Sequence, residues 1–113
     1  MNPQIATRQV GNVAVLDFGG RMTVDGGTAL LRERIRELAA GGHKCVVFNM
    51  RELTYLDSAG MGEMVDACTT LRKLGGDLKL ASPQDRVANL LRLTKLSSLF
   101  SIFPDEAAAI ASF

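Results

Sequence analysis

The stretch around Asp57 and Ser58 holds the residue types that point most directly to chemistry in this sequence. Aspartate and serine are both good N-cap residues, and the N–H groups of a first helical turn carry a partial positive charge that favours phosphate. Ser58 can therefore carry a phosphate group without breaking its own helix. Spacing alone also allows the simpler interpretation that one of the pair only caps the helix, and the two roles do not exclude each other.

The residues around Ser58 do not favour a catalytic nucleophile. A nucleophile elbow has glycine two residues before and two after the serine, whereas Leu56 occupies the first of these positions. Asp57 would oppose a developing oxyanion. His43, the only histidine, follows a predicted helix end, where a solvated side chain is the simpler interpretation. We therefore predict no catalytic residue and no enzymatic activity.

Two glycines, Gly60 and Gly62, fall in the first turns of the helix after Ser58. No lysine follows them, and their spacing matches neither a dinucleotide-binding nor a P-loop fingerprint, so we predict no nucleotide cofactor. Glycine costs a helix about 1 kcal/mol relative to alanine, which indicates close approach by another element or a partner. Met61 and Met64 lie on the apolar stripe of this helix and are predicted to belong to the core.

Composition favours one domain with an ordinary core. The chain has 113 residues, of which 47% are hydrophobic, enough for a core without disulfide or metal support. Cys45 and Cys68 are predicted to be reduced, buried thiols, so no metal site is expected. Thirteen basic and twelve acidic residues give a formal charge of +1, which provides no electrostatic reason to expect nucleic acid or an acidic membrane as partner.

The longest apolar runs are too short to cross a bilayer, and residues 1–8 do not resemble a secretory signal. We therefore expect a cytoplasmic location without membrane insertion.

The pattern along the chain predicts the element order ββαβαβαβα. Segments 5–10 and 13–18 surround Gly11-Asn12, which predicts an antiparallel hairpin, and Gly19-Gly20 is expected to end it. The apolar run Cys45–Phe48 does not alternate, which is typical of a central strand covered by helices on both faces. The other predicted elements are an amphipathic helix closed by Gly41-Gly42, a helix from Ser58 to Gly75-Gly76, a strand over 77–81, a helix from Pro83 through Leu91, an edge strand within 96–103, and a closing helix over 104–113.

This order predicts a single α/β domain over residues 1–113, with a mixed sheet of one N-terminal hairpin and parallel strands and with helices packed against it. In such sheets, ligands and partners usually meet the carboxyl ends of the parallel strands. Segment 53–62 lies at such an end.

The sequence resembles the STAS domain family, named for sulfate transporters and anti-sigma-factor antagonists, over nearly its whole length. The matching segments occur in the expected order and separation. They are Val46-Val47-Phe48-Asn49-Met50, Leu53-Thr54-Tyr55-Leu56-Asp57-Ser58-Ala59-Gly60-Met61-Gly62, Gly75-Gly76-Asp77-Leu78-Lys79-Leu80, Leu90-Leu91-Arg92-Leu93-Thr94-Lys95-Leu96 and Phe100-Ser101-Ile102-Phe103.

In the antagonist branch, the serine matching Ser58 is phosphorylated by an anti-sigma factor that is also a serine kinase. The unphosphorylated antagonist binds that kinase and frees the sigma factor. The resemblance thus implies Ser58 as phosphoacceptor, with a phosphate of about −1.5 to −2 charges opposing binding. Family members often carry aspartate soon after a Gly-Arg-Leu-like step, where this chain has Thr23. Asp25 is the candidate substitute. The implied partner-binding residues are Asp25, Asp57, Ser58, Ala59, Gly60, Gly62 and Glu63.

The resemblance also implies a possible serine phosphatase and a monomer or weak dimer, and it leaves two alternatives open. One is a STAS scaffold or transport-complex subunit that binds constitutively and is never phosphorylated. The other is a small-ligand or nucleotide sensor that uses the helix N-terminus, which the scarcity of basic residues around Ser58 makes less favourable.

Overall fold

The computed structural model describes residues 4–113 and shows one five-stranded sheet in the order β1-β2-β3-β4-β5. Only β1 and β2 are antiparallel, and the other neighbouring strands are parallel. The predicted α/β class and element order are confirmed, and residues 1–3 of the predicted domain lie outside the described part. The elements are β1 (Gln4–Val10), β2 (Val13–Met22), α1 (Thr28–Ala40), β3 (Cys45–Leu56), α2 (Ser58–Lys73), β4 (Asp77–Ala81), α3 (Asp85–Leu93), a short 3-10 turn (Leu96–Ser98), β5 (Ser101–Phe103) and α4 (Glu106–Ala111).

The main core lies between one face of the sheet and helices α1, α2 and α3. Each helix contributes apolar side chains at helical spacing, so that one stripe faces the sheet. Phe18 and Phe48 meet at the centre with ring centroids 4.8 Å apart, in an edge-to-face arrangement. The helix residues of this core include Leu31, Ile35, Leu38, Met64, Ala67, Cys68, Leu71, Val87 and Leu91.

A smaller core lies on the opposite face, under α4. It joins Val13, Val15, Val47, Ala81 and Ala109. The central strand β3 is therefore covered by helices on both faces, as its non-alternating apolar run predicts.

Among the described residues, the antiparallel pairing with β1 ends at Gly19 opposite Gln4, at the predicted Gly19-Gly20, but the prediction that the second strand ends at Phe18 is wrong. β2 continues through both glycines to Met22, and the β2–β3 register shifts between Asp17 and Gly19 and again between Gly20 and Arg21. Gly20 has a φ of 83°, a conformation that glycine tolerates without steric penalty, so the strand accommodates the irregularity and continues.

The extension of β2 gives β3 a partner far beyond the predicted strand at 45–48. β4 pairs only with Cys45–Asn49, whereas Glu52–Leu56 pairs with Gly19–Met22 alone. The two strands thus form a ribbon that projects past β4 and ends at Asp57.

Three smaller predictions also need correction. Helix α3 spans Asp85–Leu93 and does not run from Pro83 through Leu91, and α4 spans Glu106–Ala111 and not the whole of 104–113. Both helices begin later than predicted because Pro83 and Pro104 lie in the connections before them. Cys45 is half-buried, whereas Cys68 is buried as predicted.

Two leucines on α3 provide a matched test of this packing. Leu91 is completely buried, whereas Leu93 is 82% exposed. We expect Leu91→Ala to lower the free energy of unfolding by about 2–5 kcal/mol, because it leaves a cavity in the main core. Leu93→Ala should change it by less than about 0.5 kcal/mol. Urea unfolding followed by circular dichroism measures both, and similar losses in the two variants would contradict this arrangement.

Candidate functional site

The N-terminus of α2 is capped by Asp57, not by Ser58. Asp57 has extended backbone angles, and its Oδ1 atom accepts a hydrogen bond of 2.8 Å from the N–H of Gly60. Its own N–H donates to the carbonyl oxygen of Met22 at 3.2 Å. The start of the helix is thereby fixed to the end of β2.

The same carboxylate also holds the turn between β2 and α1. Its Oδ2 atom accepts a 3.0 Å hydrogen bond from the N–H of Val24. Reciprocal backbone hydrogen bonds between Thr23 and Gly26 close this turn. These backbone donors, first of all the N–H of Gly60, lower the pKa of the Asp57 carboxyl below its usual value.

Ser58 is the first residue of α2, and its side chain is exposed to solvent. Its hydroxyl makes no hydrogen bond with the residues that the structure describes. Because Asp57 performs the capping, the hydroxyl of Ser58 is free to react or to be contacted by a partner.

The two glycines of α2 have different surroundings. A Cβ atom at Gly60 would lie 2.5 Å from the carbonyl oxygen of Met22 and 2.6 Å from Cδ1 of Leu56. Gly60 is thus the point where α2 contacts the projecting ribbon, which confirms the predicted close approach by another element. A Cβ atom at Gly62 would meet nothing within 4 Å, so the surface one turn beyond Ser58 is flat and open.

The predicted partner-binding residues do not all face the same way. Asp25 is exposed in the turn that Asp57 holds, so it lies on the Ser58 side of the molecule. Glu63 instead faces α1, where its two carboxylate oxygens accept hydrogen bonds of 3.0 and 2.9 Å from Arg32. Ala59 is half-buried beside Ser58.

His43 lies far from Ser58. It precedes the amino end of β3, and Ser58 follows its carboxyl end. Because a strand rises about 3.3 Å per residue, the twelve residues of β3 place the two side chains at opposite ends of the sheet. They do not form a nucleophile–base pair.

Residues 4–113 contain neither a cluster of metal-ligating side chains nor a helix that could span a membrane. No group of three potential metal-ligating side chains occurs among them. No helix in this part of the chain has the length and apolar character needed to cross a membrane.

An apolar groove beside the site did not emerge from the sequence analysis. It lies between the end of β3 and α3, and Val24 on the neighbouring turn is also exposed, by 69%. Leu90 and Leu93 extend the apolar face of α3 beyond the buried pair Val87 and Leu91, and this wide apolar face is the signal that could have revealed the groove. Its lining residues are Tyr55, Leu56, Arg86, Val87, Asn89, Leu90 and Leu93.

Comparisons with known proteins agree with this architecture. The family model described as STAS domain matches residues 4–109. The anti-sigma-B factor antagonist of Bacillus subtilis is 28% identical over 102 residues, which cover 90% of this chain and 92% of the relative.

Solved structures show the same fold. The crystal structure of an anti-sigma factor antagonist from Mycobacterium paratuberculosis superposes with a TM-score of 0.87 at 18% identity, covering 98% of this chain and 93% of the other. The Bacillus cell fate determinant SpoIIAA in its phosphorylated form superposes with a TM-score of 0.76 at 18% identity, covering 96% of this chain and 98% of the other.

The two glycines predict opposite effects of the same substitution. Gly60→Ala should lower the free energy of unfolding by about 1–3 kcal/mol, because the new methyl group overlaps a backbone oxygen that cannot move freely. Gly62→Ala should raise it by about 0.5–1 kcal/mol, because alanine is the better helix former and the space is open. Chemical unfolding of both variants tests this, and a Gly60→Ala variant as stable as Gly62→Ala would contradict the contact at Gly60.

Replacement of Asp57 should weaken the fold in a pH-dependent way. At neutral pH, Asp57→Ala should lower the free energy of unfolding by about 0.5–2 kcal/mol through loss of the cap. Because the folded-state pKa is lowered from 3.8, this contribution is present above that value and is lost as the pH falls through the folded-state pKa. The difference in the free energy of unfolding between the wild type and Asp57→Ala should therefore become smaller at acid pH.

Thermal unfolding across a pH series measures this difference. Asp25→Ala is the matched control, because it removes a nearby exposed carboxylate that makes no hydrogen bond with the described residues. A difference for Asp57→Ala that stays constant into strong acid would contradict the role of the carboxylate.

Proposed function

Because the chain belongs to the STAS domain family, we propose that it is an anti-sigma-factor antagonist whose binding is controlled by phosphorylation of Ser58. The family expected from the sequence motifs is confirmed, and the Bacillus subtilis relative supports the antagonist role. In the proposed cycle, the unphosphorylated protein binds an anti-sigma factor with serine kinase activity and thereby releases a sigma factor. A serine phosphatase restores the binding form.

The free hydroxyl of Ser58 is the observation that carries this proposal. A kinase must bring the γ-phosphate of its nucleotide in line with the attacking oxygen, which requires an accessible side chain. Ser58 is exposed, and Asp57 already makes the capping hydrogen bond. Phosphorylation at Ser58 therefore removes no hydrogen bond from the start of α2.

The local charges support disruption at an interface. A phosphate adds about −1.5 to −2 charges at pH 7. The N–H of Gly60 is already bonded to Asp57, so the phosphate would add negative charge beside an existing carboxylate. A partner surface that matches the neutral hydroxyl would leave this charge desolvated and unpaired. Such a charge commonly costs about 3–5 kcal/mol, and each 1.4 kcal/mol changes affinity about tenfold.

The surface around Ser58 offers the partner both flat and apolar areas. Gly62 presents no side chain on the next turn, so a second backbone can approach closely. Val24, whose N–H bonds to Asp57, and the groove beside Tyr55 expose apolar surface near this position. Burial of such surface would supply binding energy, and the hydroxyl at its centre would supply control.

This proposal describes a binding protein that acts in the cytoplasm and catalyses no reaction itself. Its proposed contact surface consists of Asp25, Asp57, Ser58, Ala59 and Gly62, whereas Gly60, also predicted to bind the partner, is buried against Met22 and Leu56 and acts by holding α2 in place. Glu63 contributes through its ion pair with Arg32, which fixes α1 beside this surface.

Three variants test the switch against the purified anti-sigma kinase of the same organism. Ser58→Asp should weaken binding by at least about tenfold, since it places a carboxylate at the centre of the interface. Ser58→Ala should bind like the wild type but accept no phosphate on incubation with the kinase and ATP. Thr70→Asp is the matched control, because it adds the same charge on an exposed position about 18 Å along α2.

Calorimetry measures the affinities, and intact mass spectrometry measures the phosphate. Equal affinity of the Ser58→Asp and Ser58→Ala variants would contradict the switch. Unmodified Ser58 in protein isolated from growing and stressed cells would favour the constitutive scaffold alternative.

A further inference from the structure

Helix α4 is attached to the sheet by little apolar surface. Of its six residues only Ala109 is buried, and Ile110 is partly buried beside it. Alanine contributes a single methyl group, whereas α1, α2 and α3 each bury at least one leucine. A helix of six residues is also too short to be stable by itself. The closed position of α4 therefore depends on its other contacts with the sheet.

Charged side chains of the sheet hold α4 at both ends. At its start, the guanidinium group of Arg8 on β1 binds the carboxylate of Glu106. At its end, the ammonium group of Lys79 on β4 donates hydrogen bonds of 2.8 Å to the carbonyl oxygen and to the hydroxyl of Ser112. The same ammonium group lies 4.3 Å from the ring centre of Phe113, within the range of a cation–π interaction. Each of these attachments involves a full positive charge.

The main core does not include α4. All of its described members lie in other elements, and α4 packs on the opposite face of the sheet from α1, α2 and α3. The sheet residues under α4 are those of the small core, Val13, Val15, Val47 and Ala81. A unit that shares few apolar contacts with the rest of a domain opens at a lower free energy than the whole domain. α4 meets this condition.

We propose that α4 is a latch that opens independently of the main core and that ionic strength controls its closure. The side chains of Arg8 and Glu106 are 44% and 30% exposed, so salt screens their attraction. Lys79 binds the last turn of α4 at the surface, where its charge also interacts with the helix dipole. Added salt weakens both attachments and raises the fraction of molecules in which α4 is open and the small core is accessible.

The sheet keeps Arg8 in position for reclosure of the latch. Its guanidinium group also donates a hydrogen bond of 2.9 Å to Asp17 on β2. Asn49 on β3 donates one of 2.8 Å to the same carboxylate. These contacts lie within the sheet, so they persist when Glu106 leaves. An open molecule therefore retains an oriented binding group for the start of α4, which lowers the entropic cost of reclosure.

The latch does not depend on the proposed switch. Ser58 begins α2, which packs in the main core, whereas α4 covers the other face of the sheet. Opening of α4 leaves the bonds of Asp57 to Gly60 and Val24 in place. Failure of one proposal would leave the other standing.

Amide hydrogen exchange followed by NMR tests the latch in the wild type. The N–H of Ala109, which donates to the carbonyl oxygen of Asp105 at 3.2 Å, reports on α4. Relative to intrinsic rates, it should exchange at least about tenfold faster than the slowest N–H groups of β3. A change from about 20 mM to about 1 M sodium chloride should accelerate exchange at Ala109 about two- to fivefold and leave β3 unchanged.

Two substitutions weaken the two attachments separately. Glu106→Gln keeps the pairing of Arg8 within the sheet and should accelerate exchange at Ala109 about two- to fivefold in low salt. Lys79→Met keeps an apolar stem and should accelerate it at least about threefold. Each variant should respond less to salt than the wild type does. Asp85→Asn is the matched control, because it removes a first-turn carboxylate of α3 that forms no ion pair with the described residues, and it should leave exchange at Ala109 unchanged.

The two cysteines provide a second measurement that needs no substitution. Cys45 packs against the small core, whereas Cys68 belongs to the main core. Reaction of Cys45 with iodoacetamide should become faster as sodium chloride is added, and Cys68 should stay unreactive. Exchange of α4 and β3 at one common rate overturns the proposal, because the domain then opens as a single unit. Exchange at Ala109 that does not change with salt also overturns it, as does a constant rate of Cys45 modification.

Discussion

The carboxylate of Asp57 is the interaction on which the local architecture depends. Its two oxygens accept N–H groups from the first turn of α2 and from the turn between β2 and α1, and its backbone binds the end of β2. Three segments of the chain therefore converge on one side chain. Because that side chain caps the helix, the hydroxyl of the adjacent Ser58 is not needed for capping. Capping by Asp57 and the proposed modification of Ser58 thus fall on two adjacent residues.

The sequence predicts the fold well because its signals are local. Helical apolar spacing, the Gly11-Asn12 turn and the non-alternating run in β3 each depend on near neighbours, and the structure confirms all three. The error in the predicted end of the second strand, at Phe18, has a tertiary cause. Two consecutive glycines usually mark the end of a strand, but here β2 continues through them because Gly19 and Gly20 pair with β3. Only a contact with a segment more than thirty residues away reveals this.

The site was predictable in position but not in detail. Its location follows from the strand-to-helix junction, and the helix start from the Asp-Ser pair. The sequence does not tell which of the two residues caps, and it does not separate Gly60 from Gly62. The first faces Met22 and the second faces open space, a difference that depends on where β2 ends. The ion pair between Arg32 and Glu63 likewise depends on the packing of α1 against α2. The nucleotide-sensor alternative is also less favourable because the Asp57 carboxylate already accepts the N–H of Gly60, one of the donors that a phosphate at this helix start would use.

The bond between Val24 and Asp57 joins residues 33 positions apart, and this separation affects what a partner can recognise. The turn, the helix start and the groove come together only after β2 and β3 have paired and α1 has crossed over the sheet. An unfolded or half-made chain contains every residue of the surface but not the surface itself. A kinase that docks on it would ignore nascent and damaged molecules, and a short peptide spanning Ser58 would be a poor substrate. Phosphate at Ser58 would then be a mark that only correctly folded copies carry.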